Sequence, residues 1–331
     1  MNKLIDGNNL SQKEACHLAK SIISGDLNSV QAAAVLTSLR TKGESVEEIL
    51  GFIQTMRKYM VKVNIPNAID IVGTGGDGSG TFNISTATSL IVAGMGVPVA
   101  KHGNRAISSK CGSADVLGNL GVNINLTKEQ AEKVFKKVGM VFLFAPNFHP
   151  AFKAVASIRK ELGLRTIFNY LGPFLNPAST RRQLLGVSNI ETSKKLAKVA
   201  TKLKFTHLLL ITSQDGIDEI TTTTDTNVFE IKGNKLRSYT ISPKQFGINF
   251  SSKKDLSGKD ATQNAEIIQD ILSGKKDAKR DIVILNSAAS FYIAGKARNI
   301  SEGVDLAEKS IDSGSALQTL QNLISESKKY A

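Results

Sequence analysis

The sequence predicts an α/β fold: a small N-terminal helical domain and a larger domain whose mostly parallel sheet is flanked by helices. Apolar residues recur at helical spacing before residue 67, whereas strand-like and helix-like segments alternate after it. Such alternation is typical of a parallel sheet covered by helices. We therefore expect a helical domain at 1–66, with helices from about 160–180 as candidates to join it, and an α/β domain at 67–331.

The N-terminal part is predicted to contain three helices. Ser11 and Ser45 each begin a Ser-x-x-Glu pattern, in which the serine and glutamate side chains cap the first helical turn. A helix between them runs from about Ser29 to Gly43, and Pro66 marks the end of this part. Three such helices cannot bury a large core alone, so we expect them to pack on the next domain or on a second copy of the chain.

The elements of the larger part follow from short apolar runs and amphipathic segments. Predicted strands cover 69–72, 97–100, 140–144, 184–187, 207–212 and 282–285, and predicted helices cover 85–93, 128–138, 150–162 and 193–203. The threonine-rich stretch 219–242 predicts short antiparallel strands, and the chain from 265 onward predicts helices.

Composition limits the class of protein. No apolar run approaches a membrane span, and two distant cysteines, Cys16 and Cys111, favour a cytoplasmic protein without a disulfide framework. The net charge of +13 fits either a lysine-rich solvated surface or a polyanionic partner. With no tryptophan and 6% aromatic residues, a stacking platform for single strands is disfavoured, so we expect no nucleic-acid partner.

A glycine-rich run follows the first predicted strand and leads into an apolar helix: Gly73-Thr-Gly-Gly-Asp-Gly-Ser-Gly-Thr-Phe-Asn-Ile-Ser-Thr86. Its glycines let the backbone adopt positive φ and approach a ligand closely. N–H groups before a helix N-terminus bind phosphate. No Gly-Lys-Ser/Thr follows, as a P-loop requires, and no acidic residue closes a second strand at the distance that dinucleotide binding requires. We therefore predict a different kind of phosphate site here, rather than a glycine-rich surface turn.

A second polar cluster follows the next predicted strand, and it combines cations, an amide and hydroxyls: Lys101-His102-Gly103-Asn104-Arg105 and Ser108-Ser109-Lys110-Cys111-Gly112-Ser113. Ligands of open α/β sheets sit at the carboxyl ends of the strands, so this cluster and the glycine-rich run are expected to face one ligand. His102 fits a structural hydrogen-bonding role as well as that of a catalytic base.

Two further features suggest partners for such a ligand. Asp218 and Glu219 follow the predicted strand 207–212, and adjacent carboxylates suit Mg²⁺ bound together with substrate phosphates. A solvated acidic turn explains them equally well in isolation, but the neighbouring phosphate and lysine motifs favour the metal. Arg159, before the Gly172-Pro173 turn, suits either an organic carboxylate or a helix C-terminus.

Together these motifs resemble the anthranilate phosphoribosyltransferases over essentially the whole chain. The matching motifs occur in family order: Gly73-Thr-Gly-Gly-Asp77, Asn83-x-Ser-Thr86, Lys101-His-Gly-Asn-Arg105, Arg159, Phe168-Asn169 to Gly172-Pro173, Asn176-Pro177 and Asp218-Glu219. The resemblance implies a homodimer formed through the helical part. It also implies that the anthranilate amine displaces pyrophosphate from phosphoribosyl pyrophosphate (PRPP) in the presence of Mg²⁺, a step of tryptophan biosynthesis.

The resemblance also implies roles for individual residues. Lys101, His102, Asp218 and Glu219 are the expected catalytic residues, and Ser85, Asp218 and Glu219 would organise Mg²⁺. Gly73, Asn104 and Arg159 would contact anthranilate. The residues expected to bind PRPP are Gly73, Gly76, Asp77, Thr81, Asn83, Ile84, Ser85, Thr86, Lys101, Ser108, Ser109 and Ser113.

The amine of anthranilate is already neutral and nucleophilic, so we hypothesise that positioning supplies most of the catalysis and that no strong general base is essential. Two departures from the family concern pocket shape and metal-site geometry: the aromatic residues Phe152 and Phe174, and the run Thr221 to Thr224.

Pyrimidine nucleoside phosphorylases share the predicted architecture, but Lys101-His102-Gly103-Asn104 does not match the pattern expected of them. A non-catalytic nucleic-acid binder of this fold would have no reason to keep the acidic pair.

Overall fold

A computed structural model describes residues 2–106 and 111–331 of the chain. The α-helices are α1 (Asn2–Ile5), α2 (Gln12–Ser24), α3 (Ser29–Lys42), α4 (Val46–Tyr59), α5 (Ile84–Gly94), α6 (Ser113–Asn119), α7 (Lys128–Val138), α8 (Ala145–Phe148), α9 (Ala151–Leu162), α10 (Phe168–Leu171), α11 (Ile190–Thr201), α12 (Ala261–Leu272), α13 (Ala278–Ala294), α14 (Ile300–Asp312) and α15 (Ser315–Lys328). Short 3₁₀ turns cover Gly172–Leu175, Pro243–Phe246 and Lys253–Leu256. Within these two ranges no helix has both the length and the apolar character to cross a bilayer.

One seven-stranded sheet organises the larger part of the molecule, in the order β3-β2-β1-β4-β5-β6-β7. The strands are β1 (Ile69–Gly73), β2 (Val99–Gly103), β3 (Met140–Phe144), β4 (Arg182–Gly186), β5 (His207–Ser213), β6 (Thr226–Lys232) and β7 (Lys235–Ile241). The first five in chain order are parallel, and β6 and β7 form an antiparallel extension. The predicted fold class is therefore confirmed.

The strand order places a crevice at the carboxyl end of β1. The chain proceeds from β1 to β2 and β3 on one side and then crosses to β4 on the other. Ligands of open α/β sheets bind where the order reverses in this way. Gly73 and Gly186, the last residues of β1 and β4, are register partners, so the loops after these two strands start side by side.

The two faces of the sheet belong to two hydrophobic cores because side chains alternate along each strand. On β5, Leu209 and Ile211 point into a core shared with α5 and α13, whereas Leu208 and Leu210 point into a core shared with α4, α9 and α11. The N-terminal helices thus pack on the same chain, in the core on one face of its sheet. Helices α9 and α10 share that second core with α2, α3 and α4, while the division at residue 66 stays a prediction.

The helix starts were accessible from local patterns. Ser11, Ser45 and Thr127 form complete capping boxes at the starts of α2, α4 and α7, as their sequences predict. The strand boundaries were less accurate: β2 starts at Val99 and includes Lys101 and His102, which the sequence places after a strand at 97–100.

The predicted strand at 282–285 is wrong, because these residues lie inside α13. The run Ile282-Val-Ile-Leu285 has strand propensity, but Asp277 caps the backbone N–H groups of Lys279 and Arg280, and Gly295 ends the helix with a φ of 76°. This helix is buried on nearly all sides, so its apolar residues do not alternate with polar ones in a helical pattern. Tertiary burial therefore overrides the local preference for strand.

Gly51 offers a test of the packing of α4 on α2. A Cβ atom at this position would lie 2.6 Å from Cβ of Ala15 and 2.7 Å from the carbonyl oxygen of Gln12. We expect Gly51→Ala to lower the free energy of unfolding by about 1–3 kcal/mol, because the two helices must separate. The matched control is Gly118→Ala in α6, where a Cβ would have no neighbour within 4 Å. Thermal denaturation should show this control unchanged or slightly stabilised; equal losses in the two variants would contradict the packing argument.

Candidate active site

The glycine-rich loop after β1 has a backbone that only glycine adopts without strain. Gly75, Gly76, Gly78 and Gly80 have φ values of +68°, +67°, +71° and +67°. The loop ends at Asn83, and α5 begins at Ile84, so the positive end of this helix lies beside the loop. This arrangement provides backbone donors and a positive helix end for a phosphate group.

The acidic pair lies against this loop. The backbone N–H of Gly75 donates a hydrogen bond of 3.0 Å to Oδ2 of Asp218. A Cβ atom at Gly73 would collide with the carboxylate of Asp218, and one at Gly186 would collide with its carbonyl oxygen. The ends of β1 and β4 thus need glycine so that the turn carrying Asp218 can approach the glycine-rich loop.

The carboxylates of this site are crowded together. Burial, followed by the charge of Asp77, raises the pKa of Asp218 to about 6. The pKa of Glu219 rises well above its usual range, because of burial first and the charge of Asp218 second. Within the described residues, Oδ2 of Asp77 is buried without a hydrogen-bond partner. A cation at this point would relieve both the repulsion and the missing contact.

The oxygen atoms here suit a hard cation such as Mg²⁺, which prefers carboxylates, hydroxyls and phosphate oxygens. Ser85, Asp218 and Glu219 come together, since the backbone amide of Ser85 favours the ionised form of Glu219. In the described ranges no group of three or more His, Cys, Asp or Glu residues could hold a metal by itself.

Lys101 lies at the centre of these groups. Its side chain is almost fully buried, and Nζ donates hydrogen bonds to the carbonyl oxygen of Ile71 at 2.7 Å and to Oγ of Ser85 at 3.1 Å. Burial lowers the pKa of Lys101, while the charges of Asp70 and Glu219 raise it. Burial also raises the pKa of Asp70 to about 6. Lys101 therefore places one positive charge between the carboxylates and the start of α5.

His102 is paired with a second buried histidine. The Nε2 atoms of His102 and His149 are 3.1 Å apart, so one imidazole donates a hydrogen bond and the other accepts it. Burial and the proximity of His149 lower the pKa of His102 well below its usual range, and burial lowers that of His149 to about 4. Both imidazoles are consequently neutral at pH 7 and weakly basic.

An aromatic cluster connects this histidine pair to Arg159. The ring of His149 contacts Phe152 with centroids 5.6 Å apart, and Phe152 contacts Phe168 at 5.9 Å. The guanidinium carbon of half-buried Arg159 lies 6.0 Å from the ring centroid of Phe152 and 5.9 Å from that of Phe168. These contacts form a surface that combines aromatic rings with one cation, which suits a planar aromatic acid.

The other predicted residues fall into three groups. Thr81, Asn83 and Thr86 lie along the loop and the first turn of α5, where Oγ1 of Thr86 is buried without a partner in the described ranges. Asn104 and Ser113 meet after β2, with Ser113 Oγ 3.4 Å from the Asn104 carbonyl oxygen. Ser108 and Ser109 lie outside the described residues.

Sequence reasoning missed two residues of the site. Arg165 donates hydrogen bonds from Nη2 to the carbonyl oxygens of Gly75, at 3.0 Å, and of Gly76. No spacing pattern links residue 165 to the loop, so only the tertiary structure reveals this contact. His149 follows β3 closely, and the rule that ligands lie at strand carboxyl ends could have identified it.

The fold and the site define a glycosyl transferase with a helical bundle and an α/β domain. The model described as "Glycosyl transferase family, a/b domain" matches residues 65–317, and the model described as "Glycosyl transferase family, helical bundle domain" matches residues 1–60. More closely, a curated protein of Methanobrevibacter smithii named "Anthranilate phosphoribosyltransferase" is 48% identical over 323 residues, 97% of this chain and 96% of that protein. The chain belongs to the anthranilate phosphoribosyltransferase family.

Solved structures of the same family match the whole fold. The anthranilate phosphoribosyltransferase from Thermus thermophilus has a TM-score of 0.92 and 36% identity, covering 99% of this chain and 98% of that chain. The Saccharomyces cerevisiae enzyme in complex with PRPP and Mg has a TM-score of 0.87 and 29% identity, covering 96% and 92%. A further structure of the yeast enzyme contains 4-fluoroanthranilate, at a TM-score of 0.84 and 28% identity, covering 96% and 92%.

The low pKa of His149 predicts a pH dependence of stability. Because its folded-state pKa is about 4 and its ordinary value is 6.5, the unfolded chain binds more protons between these values. Stability is therefore complete above about pH 6.5 and falls as the pH drops towards 4, by at most about 1.4 kcal/mol per pH unit for this group. His149→Gln should flatten the dependence of melting temperature on pH in this window.

Other histidines also make stability depend on pH, in the wild type and in His149→Gln alike, since burial lowers the pKa values of His102 and His207 as well. The comparison therefore rests on the difference between the wild-type and His149→Gln curves, with His17→Gln as the control for losing an exposed imidazole. Parallel curves for wild type and His149→Gln would show that His149 does not titrate on unfolding.

Proposed function

We propose that this protein transfers the phosphoribosyl group of PRPP to the amine of anthranilate, giving N-(5-phosphoribosyl)anthranilate and pyrophosphate. The observation that carries the proposal is the convergence of the glycine-rich loop, Lys101 and the pair Asp218-Glu219 at one sheet edge. This convergence is what a substrate with a pyrophosphate group and a divalent cation requires. The names of the relatives and the PRPP and 4-fluoroanthranilate complexes of the yeast enzyme support the same reaction.

PRPP would bind over the glycine-rich loop and the start of α5. Backbone N–H groups of the loop would hold its phosphates, while Lys101 and the helix N-terminus would compensate their negative charge. The residues assigned to this substrate are Gly73, Gly76, Asp77, Thr81, Asn83, Ile84, Ser85, Thr86, Lys101, Ser108, Ser109 and Ser113.

Mg²⁺ is the proposed cofactor, and Ser85, Asp218 and Glu219 would hold it. The ion would supply positive charge to the departing pyrophosphate. Burial raises the pKa values of Asp218 and Glu219, and the neighbouring carboxylates raise them further. These shifts support the assignment, because a bound cation would balance the buried negative charge. The Mg-bound yeast structures are consistent with it.

Anthranilate would bind on the aromatic surface beside Arg159, whose guanidinium is positioned for a carboxylate. Gly73 and Asn104 are the other assigned contacts. In the reaction the amine nitrogen forms a bond to C1 of the ribose, and the C1–oxygen bond to pyrophosphate breaks, with the electron pair leaving on pyrophosphate. The nitrogen, now positively charged, then gives one of its two protons to water or to the departing pyrophosphate. Positive charge develops on the ribose as that bond breaks, so holding the amine and C1 in line supplies much of the rate.

The organisation of the protein in the cell stays a prediction from the sequence. We expect a cytoplasmic homodimer that associates through the helical part, with anthranilate and PRPP as small-molecule partners and without a nucleic-acid partner. Light scattering of the purified protein during gel filtration measures the oligomeric state directly.

The acidic pair provides the first test of the proposed reaction. Anthranilate fluoresces, so its decay in the presence of PRPP and Mg²⁺ measures turnover. We expect a Mg²⁺-dependent decay in the wild type, and a loss of at least about 10³-fold in Asp218→Asn/Glu219→Gln, because the pyrophosphate then loses its metal. The matched control, Asp305→Asn/Glu308→Gln, removes the same charges from exposed positions of α14 and should retain activity. A folded wild-type protein without any decay would reject the proposed reaction.

His102 tests whether a general base is needed. General acid–base catalysis contributes about 10²–10⁴-fold, and a buried imidazole of low basicity hydrogen-bonded to His149 is a poor base at pH 7. We therefore expect His102→Ala to lower kcat by less than about tenfold at saturating substrates, a smaller effect than base catalysis would produce. A loss comparable to that of Asp218→Asn/Glu219→Gln would instead assign the base to His102. Circular dichroism of each variant checks that its fold is retained.

A further inference from the structure

A segment outside the sequence motifs runs along the glycine-rich loop. We name residues 251–264 the bracing segment. The N–H of Gly258 donates a 2.9 Å hydrogen bond to the carbonyl oxygen of Gly80, and the N–H of Phe82 donates one of 3.2 Å to that of Leu256. Thr81 and Ser257 form an antiparallel bridge between these bonds. The second half of the loop is thus paired with the bracing segment like a strand.

The pairing is close enough to exclude a side chain. A Cβ atom at Gly258 would lie 2.7 Å from Cα of Phe82 and would collide with Oδ1 of Asn264. Gly258 is therefore needed for the approach of the two backbones, and Asn264 lies directly behind it.

Asn264 connects the bracing segment to Asn83. Asn264 is buried, with 2% of the residue exposed. Its Nδ2 donates a 3.0 Å hydrogen bond to Oδ1 of Asn83, while its Oδ1 accepts one of 3.2 Å from the N–H of Lys259. Nδ2 of Asn83 donates to the carbonyl oxygen of Cys111 at 3.3 Å. The thiol of Cys111 also donates to Oδ1 of Asn83, at 3.3 Å. Asn83 makes no capping hydrogen bond to α5, so its contacts with Asn264 and Cys111 determine the orientation of its amide.

The other end of the bracing segment is attached to the turn that carries the acidic pair. The N–H of Ser251 donates to the carbonyl oxygen of Thr222 at 2.9 Å, and the hydroxyl oxygens of these residues are 2.7 Å apart. Nζ of Lys253 donates to the carbonyl oxygen of Asp215 at 2.9 Å. The unusual threonine run after Asp218-Glu219 thus provides an attachment point, with Thr222 as its contact.

We propose that the bracing segment fixes the glycine-rich loop relative to the acidic turn, and that Asn264 is a positioning residue for PRPP through Asn83. The role rests on the proposed function, in which Asn83 belongs to the PRPP site. Because the segment contacts both halves of that site, it holds them at a set separation before substrate arrives. Such preorganisation strengthens binding by removing the ordering cost from the binding step.

Substitutions at Asn264 test this role. In Asn264→Ala, Oδ1 of Asn83 loses its amide donor and keeps only the weaker thiol donor of Cys111. We therefore expect the KM for PRPP to rise about tenfold while kcat and the KM for anthranilate stay within about twofold. Asn264→Asp keeps the acceptor for Lys259 and removes the donor, so it should raise the KM for PRPP with less effect on folding. Gln269→Ala, which deletes an exposed amide from the same helix, is the matched control and should behave as wild type.

A double-mutant cycle separates positioning from general structural damage. If Asn264 acts through Asn83, adding Asn264→Ala to Asn83→Ala should change the KM for PRPP by less than about twofold. If the two substitutions instead raised the KM for PRPP independently, so that their factors multiplied in the double variant, the proposal would be overturned. Equal increases in both KM values, or a folded Asn264→Asp variant with an unchanged KM for PRPP, would also overturn it. Calorimetric binding of PRPP with Mg²⁺ gives the same comparison without turnover, so an inactive wild type would reject the proposed reaction while the positioning role is still decided by binding.

Discussion

The site depends on the close contact between the glycine-rich loop and the turn that carries Asp218. The N–H of Gly75 donates a hydrogen bond to Oδ2 of Asp218 and so joins the loop to the turn. That contact exists only because Gly73 and Gly186, paired residues at the ends of β1 and β4, leave no Cβ in the way. The parallel register of the sheet therefore determines how near the Asp218 carboxylate comes to the glycine-rich loop. A side chain at either glycine would separate the carboxylate from the loop.

The same contact leaves an excess of negative charge in the site, which a bound cation would balance. Asp218 and Glu219 share a partly buried space with Asp77, and their pKa values rise as a result. Lys101 supplies one buried positive charge, which is too little for all of these carboxylates and Asp70. Preorganised charges of this kind are costly to bury and become favourable when the complementary charge arrives. The excess of buried negative charge thus supports the proposed binding of a cation together with an anionic substrate.

Short sequence patterns were enough to predict the features that depend only on neighbouring residues. The capping boxes at Ser11, Ser45 and Thr127, the positive-φ glycines and the clustering of polar residues at strand ends could all be read from short windows. The sequence could not reveal the contacts of Arg165 or Asn264, because each reaches the loop from a distant part of the chain. The strand predicted at 282–285 was wrong for a related reason: burial on all sides of α13 removes the periodicity that would distinguish a helix. The family resemblance adds expected roles for individual residues, and these roles stay predictions.

The acceptor side of the site depends on a different part of the fold. Arg159 and Phe152 belong to α9, whose residues Val155 and Ile158 lie in one core with α2, α3 and α4. The glycine-rich loop and Lys101, in contrast, are fixed by the sheet and its other core. The distance between a bound aromatic acid and the ribose carbon would thus be set by how the N-terminal helices and α9 pack against the sheet. Since misplacement of about 1 Å is costly when catalysis works by positioning, the proposed reaction would be sensitive to how the N-terminal helices pack against α9.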